Sequence, residues 1–89
     1  MAILFGLLFA NAQTTYIVKG KVIDYHDKVP LVNAKITIGK FTQLSDAEGN
    51  FTVKSIQKGN HTLIANHPDC DAITEELNVT KDLEITLQL

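Results

Sequence analysis

The amino-acid sequence predicts a small antiparallel β-sandwich of six or seven short strands. Several segments alternate apolar and polar residues with a period of two, which is the pattern of a strand with one buried face. Gly, Asn, Asp and Pro recur between these segments about every eight to twelve residues, as they do in sandwiches. Between residues 13 and 89, no segment combines helical spacing with capping residues. An all-β fold follows.

The first predicted strand covers residues 16–23, with Val18, Gly20 and Val22 on one face. Because glycine weakens a strand interior, Gly20 indicates a bulge or the close approach of another backbone. The polar segment at residues 24–30 ends in a proline, which has no N–H for a ladder hydrogen bond. We expect this segment to be a loop.

A second strand and a short third strand are predicted next. Ala34, Ile36 and Ile38 alternate with polar residues, and Gly39 ends the pattern. Residues 42–44 form a short strand, which we expect at the edge of a sheet.

The sharpest turn signal lies in residues 44–53, Leu-Ser-Asp-Ala-Glu-Gly-Asn-Phe-Thr-Val. Asp46, Gly49 and Asn50 accept turn geometry or a positive φ, and a new apolar alternation begins at Phe51. This pattern predicts a β-hairpin, with Gly49 at positive φ between two paired strands.

Three further segments complete the predicted strands. Residues 61–66 alternate as a fifth strand, a polar loop at residues 67–71 interrupts the pattern, residues 73–79 restore it, and residues 83–89 give the cleanest alternation. The residues expected to face inward and form the core are Val22, Ile36, Ile38, Phe51, Val53, Leu63, Ile73, Leu77, Ile85 and Leu87.

Charge and composition argue against nucleic acid and against a charged membrane surface as partners. The chain has 89 residues, of which 45% are hydrophobic, and a net charge of -2. Its eight cationic residues are all Lys and are scattered, so there is neither a basic stripe nor an Arg to bind phosphate or guanine in a bidentate manner. The length indicates one small domain.

The first twelve residues resemble a secretory signal peptide. Residues 2–10 are nearly all apolar, and residues 10–12 are Ala-Asn-Ala, which is typical of a cleavage site. The apolar run has about half of the roughly 20 residues that a transmembrane helix needs. We predict a signal peptide at residues 1–12 and a domain at residues 13–89; the alternative is a buried first strand or helix.

Cys70 is the single cysteine, which rules out an intramolecular disulfide and any multi-cysteine zinc site. An exported protein without disulfides fits a bacterial periplasm better than a small eukaryotic extracellular module. We therefore expect export to a bacterial periplasm, or secretion.

Three sequence blocks, in this order, resemble the carboxypeptidase-regulatory-like domain. They are Gly-Lys-Val-Ile-Asp at residues 20–24, Pro-Leu-Val-Asn-Ala-Lys-Ile-Thr-Ile at residues 30–38 and Ser-Asp-Ala-Glu-Gly-Asn-Phe-Thr-Val at residues 45–53. The resemblance covers about residues 17–89 and implies a transthyretin-like (prealbumin-like) sandwich. It also implies a place at the amino terminus of a TonB-dependent outer-membrane receptor, as is common in Bacteroidetes. The family often carries a Gly-Tyr pair after the fifth strand, where this chain has Asn-His-Pro-Asp-Cys-Asp.

No arrangement of residues predicts catalysis or a bound cofactor. Asp46, Glu48 and Asn50 place oxygens at alternate positions, as some calcium loops do, but no later bidentate Glu follows, so turn formation is the simpler interpretation. His67, Asp69, Cys70 and Asp71 would bind a transition metal only if the fold gathered them into one cluster, and a solvated polar loop is the simpler interpretation. Cys70 would act as a nucleophile only if the fold placed a base beside it. We predict no catalytic residue, no cofactor and no metal.

Together with the predicted export, the resemblance implies a non-enzymatic accessory domain at the periplasmic face of the outer membrane, which assists nutrient import by a TonB-dependent receptor through protein–protein contacts. The alternative is a free-standing secreted binding or adhesion module. The expected partner is the receptor's plug or barrel, or another periplasmic or outer-membrane component. Neither nucleic acid nor membrane insertion by this domain is expected.

Two surfaces are candidates for the contact. An edge strand presents unpaired N–H and C=O groups to which a partner segment can add. The expected edge residues are Thr42, Gln43 and Leu44, where proline at Gln43 should remove one ladder donor and spare the core. The rival surface is the polar loop with His67, Asp69 and Asp71.

Overall fold

Residues 14–89 form seven β-strands and no helix in the computed structural model, which describes this part of the chain. The strands are β1 (Thr15–Ile23), β2 (Lys35–Ile38), β3 (Phe41–Leu44), β4 (Asn50–Gln57), β5 (Gly59–His67), β6 (Cys70–Val79) and β7 (Leu83–Gln88). The signal peptide predicted at residues 1–12 lies outside the described residues. None of residues 14–89 belongs to a helix that is long and apolar enough to span a bilayer.

The seven strands form two sheets, which confirms the predicted β-sandwich. One sheet has the order β4-β1-β7 and the other the order β3-β2-β5-β6. Neighbouring strands are antiparallel except β1 and β7, which run parallel from Val18↔Leu83 to Ile23↔Gln88. The predicted antiparallel pairing thus holds for every neighbouring pair except this one. A parallel pair needs a long crossover, which the chain from β2 to β6 supplies.

Apolar side chains from both sheets meet between the layers. The buried ones are Val18, Val22, Ala34, Ile36, Ile38, Phe51, Val53, Ile56, Leu63, Ala65, Val79 and Leu87. Of the residues predicted to face inward, Ile73, Leu77 and Ile85 are only half-buried and pack against this core. They lie on the edge strands β6 and β7, each of which has a neighbouring strand on one side only within the described part of the chain.

The turn between β3 and β4 connects the two sheets, so the hairpin predicted at residues 44–53 is wrong. β3 pairs with β2 in one sheet, whereas β4 pairs with β1 in the other. Gly49 has a φ of +80°, as predicted for this turn, and its carbonyl accepts a hydrogen bond from the Val22 N–H at 2.8 Å. The two flanking strands diverge because each finds its ladder partner elsewhere in the chain.

Two tight hairpins lie within the four-stranded sheet. Gly39 and Lys40 join β2 to β3, and Pro68 and Asp69 join β5 to β6. The second hairpin falls inside the segment predicted to be a polar loop at residues 67–71. The ends of that segment belong to the strands, because His67 pairs with Cys70 across the turn.

Gly20 allows β1 and β7 to approach closely, as its position in a strand predicts. It lies opposite Phe51 of β4 and Ile85 of β7. A Cβ added at Gly20 would collide with the carbonyl oxygen of Ile85. The irregularity in the β1–β4 ladder lies elsewhere, between Tyr16 and Val18.

Candidate interaction surface

The four strands at the sheet edges differ in the charge that they carry. β3 and β6 are the outer strands of the four-stranded sheet, and β4 and β7 are those of the three-stranded sheet. Lys54 lies on β4, Asp71, Glu75 and Glu76 lie on β6, and Glu84 lies on β7. Charged side chains on an edge strand oppose its pairing with another chain. β3, with the sequence Phe-Thr-Gln-Leu, has no charged residue.

Among residues 14–89, no strand pairs with the outer edge of β3, where the free backbone groups belong to Thr42 and Leu44. The Ser45 N–H donates to the Ala34 carbonyl at 2.9 Å, which extends the β2–β3 ladder past the end of β3. Backbone groups alternate in direction along a strand, so Gln43 also directs its N–H and C=O toward β2. Thr42 and Leu44 therefore direct theirs away from β2, toward the open edge.

This alternation corrects the prediction about proline at Gln43. The N–H of Gln43 belongs to the β2–β3 ladder, so proline there would remove a structural hydrogen bond. Proline at Thr42 or Leu44 would instead remove a free donor and leave the ladder in place.

The side chains of β3 divide between the two faces of the sheet. Phe41 packs against the core, and Gln43 follows it on the same face. Thr42 and Leu44 lie on the outer face, where Leu44 is 54% exposed. The hydroxyl oxygen of Thr42 lies 3.4 Å from that of Thr37 on β2. A strand added beside β3 would extend the four-stranded sheet and continue this outer face.

Residues 68–71 of the rival surface form one wall of an open cleft of about 950 Å³. The loop between β1 and β2 forms the opposite wall and is joined to the last residue of the chain by a hydrogen bond from the Tyr25 N–H to the Leu89 carbonyl (2.8 Å). The cleft is acidic, because its lining includes the carboxylates of Asp24, Asp27, Asp69 and Asp71.

Two of these carboxylates stabilise the β1–β2 loop. Asp24 accepts hydrogen bonds from the backbone N–H groups of His26 (2.8 Å) and Asp27 (3.2 Å), and Asp27 accepts one from the Val29 N–H (2.9 Å). Donation by the backbone of Asp27, and then of His26, lowers the pKa of the Asp24 carboxyl below its ordinary value. The ionised form of Asp24 is therefore part of the loop structure.

Cys70 lies in the same cleft but lacks the surroundings of a nucleophile. Partial burial raises the pKa of its thiol, and the negative charges of Asp24, Asp69 and Asp71 raise it further. The Nδ1 atom of His67 lies 3.9 Å from the sulfur, but it accepts a hydrogen bond from the Asp69 N–H at 3.2 Å. The imidazole therefore supports the turn, and the thiol stays protonated at neutral pH.

The acidic residues of the β3–β4 connection also serve a turn. Oδ1 of Asp46 accepts hydrogen bonds from the N–H groups of Glu48 (3.0 Å) and Asn50 (2.8 Å), which is the turn chemistry predicted for this stretch. Within residues 14–89, no group of three or more His, Cys, Asp and Glu side chains is placed to hold a metal ion.

The residues predicted to form interaction surfaces fall at two separate places. Residues 42–44 lie on β3, and Asp71 lies on β6 at the opposite edge of the same sheet. His67 and Asp69 belong to the β5–β6 hairpin. Residues 24–27, which form the second wall of the cleft, are not among the predicted surface residues. No local signal identifies them, because the fold alone brings the two loops together.

Comparison with known proteins gives a family match and similar folds. Residues 18–89 match the model of a family described as CarboxypepD_reg-like domain. The crystal structure of BcpA, the major pilin subunit of Bacillus cereus, is similar, with a TM-score of 0.64 and 18% identity over 84% of this chain and 29% of that chain. A DUF3823 family protein from Parabacteroides merdae has a TM-score of 0.63 and 12% identity over 86% of this chain and 46% of that chain.

These two structural likenesses concern the fold alone, because the sequence identities are low. The chain spans less than half the length of either solved structure. No curated protein matches the chain. The family and fold matches are to regulatory-like and pilin-type β-sandwich domains rather than to catalytic families.

Proposed function

Because the chain belongs to the family of carboxypeptidase-regulatory-like domains, we propose that it is a non-enzymatic β-sandwich domain that binds a protein partner. In this proposal the domain is exported and is an accessory part of a TonB-dependent outer-membrane receptor, where it assists nutrient import. The partner is the receptor's plug or barrel, or another periplasmic or outer-membrane component.

The observation that carries the proposal is the uncharged edge of β3. Thr42 and Leu44 direct their backbone groups away from β2, and β3 has no charge to oppose an added strand. An antiparallel partner strand would form about four backbone hydrogen bonds there, because each of the two residues exchanges two. Each bond contributes a net of about 0.5–1.5 kcal/mol. Main-chain bonding of this kind gives affinity, while side-chain pockets give specificity.

The polar side chains that could take part in catalysis are either unreactive or engaged in turns, which supports a non-enzymatic role. The raised pKa of Cys70 disfavours a thiolate, and the nearby His67 is engaged by the Asp69 N–H. The carboxylates of Asp24 and Asp46 hold turns. The sequence contains no Arg for electrophilic or phosphate chemistry.

Proline substitutions in the full-length receptor test the role of the edge. Thr42→Pro and Leu44→Pro each remove one free donor, so we expect a folded domain and impaired growth on the transported nutrient. Gln43→Pro is the structural control, since it breaks the β2–β3 ladder and should lower stability in denaturant melts. Circular dichroism on each variant separates loss of binding from loss of fold.

A double variant of the acidic cleft is the comparison for the proline variants. Asp69→Ala combined with Asp71→Ala changes the charge of the cleft without touching β3, so we expect uptake to stay normal. Impaired uptake in this variant together with normal uptake in the proline variants would assign the contact to the cleft. If deletion of the whole domain left growth on every transported substrate unchanged, the accessory role would be wrong, and a merely structural spacer would remain.

Export is tested at the amino terminus of the mature protein. The Ala-Asn-Ala triplet at residues 10–12 predicts cleavage before Gln13. Mass spectrometry of the exported protein should find Gln13 as the first residue. Recovery of intact Met1 on a cytoplasmic species would contradict export.

A further inference from the structure

We infer that the segment bound at β3 runs antiparallel to it and carries a basic residue at its amino end and an acidic residue at its carboxyl end. The inference rests on the proposed function, because it specifies the segment that occupies the same edge. Three features of the edge determine it: its length, the spacing of its free backbone groups and the charges at its two ends.

The length of β3 argues against a second copy of this chain as the occupant. A strand of four residues spans about 14 Å. Two such edges in contact would bury far less than the roughly 800 Å² that each partner contributes to a stable complex of standard size. A backbone edge of this kind is suited to an extended segment from outside this domain, which can reach further contacts beyond the edge.

The spacing of the free groups favours the antiparallel direction. Thr42 and Leu44 are two residues apart, which is the separation of successive hydrogen-bonded pairs in an antiparallel ladder. An antiparallel segment would satisfy both with about three consecutive residues. A parallel segment would need about five, because its bonds are slanted and reach the residues before and after each position. The edge is short and is bounded by turns at both ends, so the more compact arrangement fits it.

Opposite charges flank the two ends of β3. Lys40 precedes the strand, and its Nζ lies 5.6 Å from the centroid of the Phe41 ring. Asp46 follows the strand, and its Oδ1 serves the turn while Oδ2 is free of intramolecular hydrogen bonds within residues 14–89. Both residues are exposed. Within residues 14–89, neither takes part in an ion pair, since the ion pair there joins Lys19 and Glu84. Lys40 and Asp46 are thus available to a partner.

Charge complementarity then sets the pattern of the segment. An antiparallel segment begins beside Asp46 and ends beside Lys40, so its first residue is basic and its last is acidic. The residues opposite Leu44 and Thr42 lie on the outer face of the sheet, where apolar and β-branched side chains form favourable cross-strand pairs.

Two heptapeptides of identical composition test the inference with the isotope-labelled protein. The first is acetyl-Lys-Ser-Ile-Ser-Val-Ser-Glu-amide, and the second exchanges the terminal Lys and Glu. NMR titration at low ionic strength gives the affinities, and amide hydrogen exchange identifies the edge. We expect the first peptide to slow exchange at Thr42 and Leu44, and to leave the ladder-bound amide of Gln43 unchanged.

The first peptide should bind about fivefold more tightly than the second. In the antiparallel direction the first peptide forms exposed ion pairs with Asp46 and Lys40, whereas the second places a like charge beside each of them. The difference should shrink in about 1 M salt, where the Debye length is about 3 Å. Lys40→Glu should reduce the advantage of the first peptide, and Leu44→Pro should weaken the binding of both.

Three other results of the titration would contradict the inference. Tighter binding of the second peptide would show a parallel segment, and equal binding at low salt would show that Lys40 and Asp46 do not select it. Either result overturns the inference and leaves β3 as the binding edge. If neither peptide slows exchange at Thr42 and Leu44, the inference is wrong. The proposed function is then decided independently by nutrient uptake in the proline variants of the full-length receptor.

Discussion

The Val22 N–H donates to the Gly49 carbonyl at 2.8 Å, and this bond continues the β1–β4 ladder into the turn that leads from β3 to β4. The contact is close on both sides. A Cβ placed on Gly49 would lie 2.5 Å from the Val22 carbonyl oxygen, and the φ of Gly49 is +80°. Glycine is therefore required here for its conformation and for the space that it leaves.

We expect Gly49→Ala to lower the free energy of unfolding by more than about 2 kcal/mol, since the variant combines backbone strain with a steric clash. Gly39→Ala is the matched control. Its φ is +58° but the nearest atom, Nδ1 of His61, would be 3.8 Å from the new Cβ, so strain alone should cost about 1 kcal/mol. Urea denaturation followed by circular dichroism measures both. Equal losses would show that the turn can move away from β1.

Ser45 tests the contact between the end of β3 and the segment that precedes β2, because its side chain is polar and only 3% exposed. Its Oγ accepts a hydrogen bond from the Ala34 N–H (2.9 Å) and donates one to the Leu31 carbonyl (2.6 Å). Ser45→Ala leaves both groups unpaired and should cost about 1–3 kcal/mol of unfolding free energy. Ser55→Ala removes the same hydroxyl at an exposed position and should change stability by less than about 0.5 kcal/mol. Similar midpoints in urea for both variants would contradict the role of Ser45.

The hydrogen bonds to Asp24 predict a loss of stability in acid. The backbone N–H groups of Asp27 and His26 lower the pKa of Asp24 in the folded state, so its contribution is present above the ordinary pKa of about 4. That contribution is lost as the pH falls through the lower folded pKa. Asp24→Asn should therefore flatten the dependence of the urea midpoint on pH below about 4. An unchanged slope would place the acid sensitivity in other carboxylates.

The environment of Cys70 predicts a slow reaction with alkylating agents. Partial burial and the charges of Asp24, Asp69 and Asp71 raise its pKa, so the thiolate is scarce at neutral pH. Iodoacetamide should label the folded protein more slowly than the same protein in urea. Asp69→Asn combined with Asp71→Asn should accelerate labelling of the folded protein, because two of the repelling charges are gone. Faster labelling of the folded wild-type protein than of the unfolded chain would contradict the raised pKa.

The sequence by itself determined where the strands and turns lie, because these features depend on neighbouring residues. The alternation around Val18 and Val22, the turn chemistry of Asp46 and the positive φ of Gly49 were all predicted from local pattern and are confirmed. The short strand predicted at residues 42–44 likewise lies at the edge of a sheet.

Only the tertiary structure decided which strands share a sheet and which backbone groups of β3 are free. A turn such as that at Gly49 has the same local preferences whether its strands pair with each other or separate into two sheets. The choice is made by partners distant in the chain, such as Val18 with Leu83 in the parallel pair. The free backbone groups of β3 are likewise decided by its pairing with β2. The hydrogen bond from Ser45 to Ala34 shows which residues face β2, and the direction of the backbone groups alternates from there along the strand. Sequence alternation identifies faces, but hydrogen-bond direction follows from the neighbouring strand.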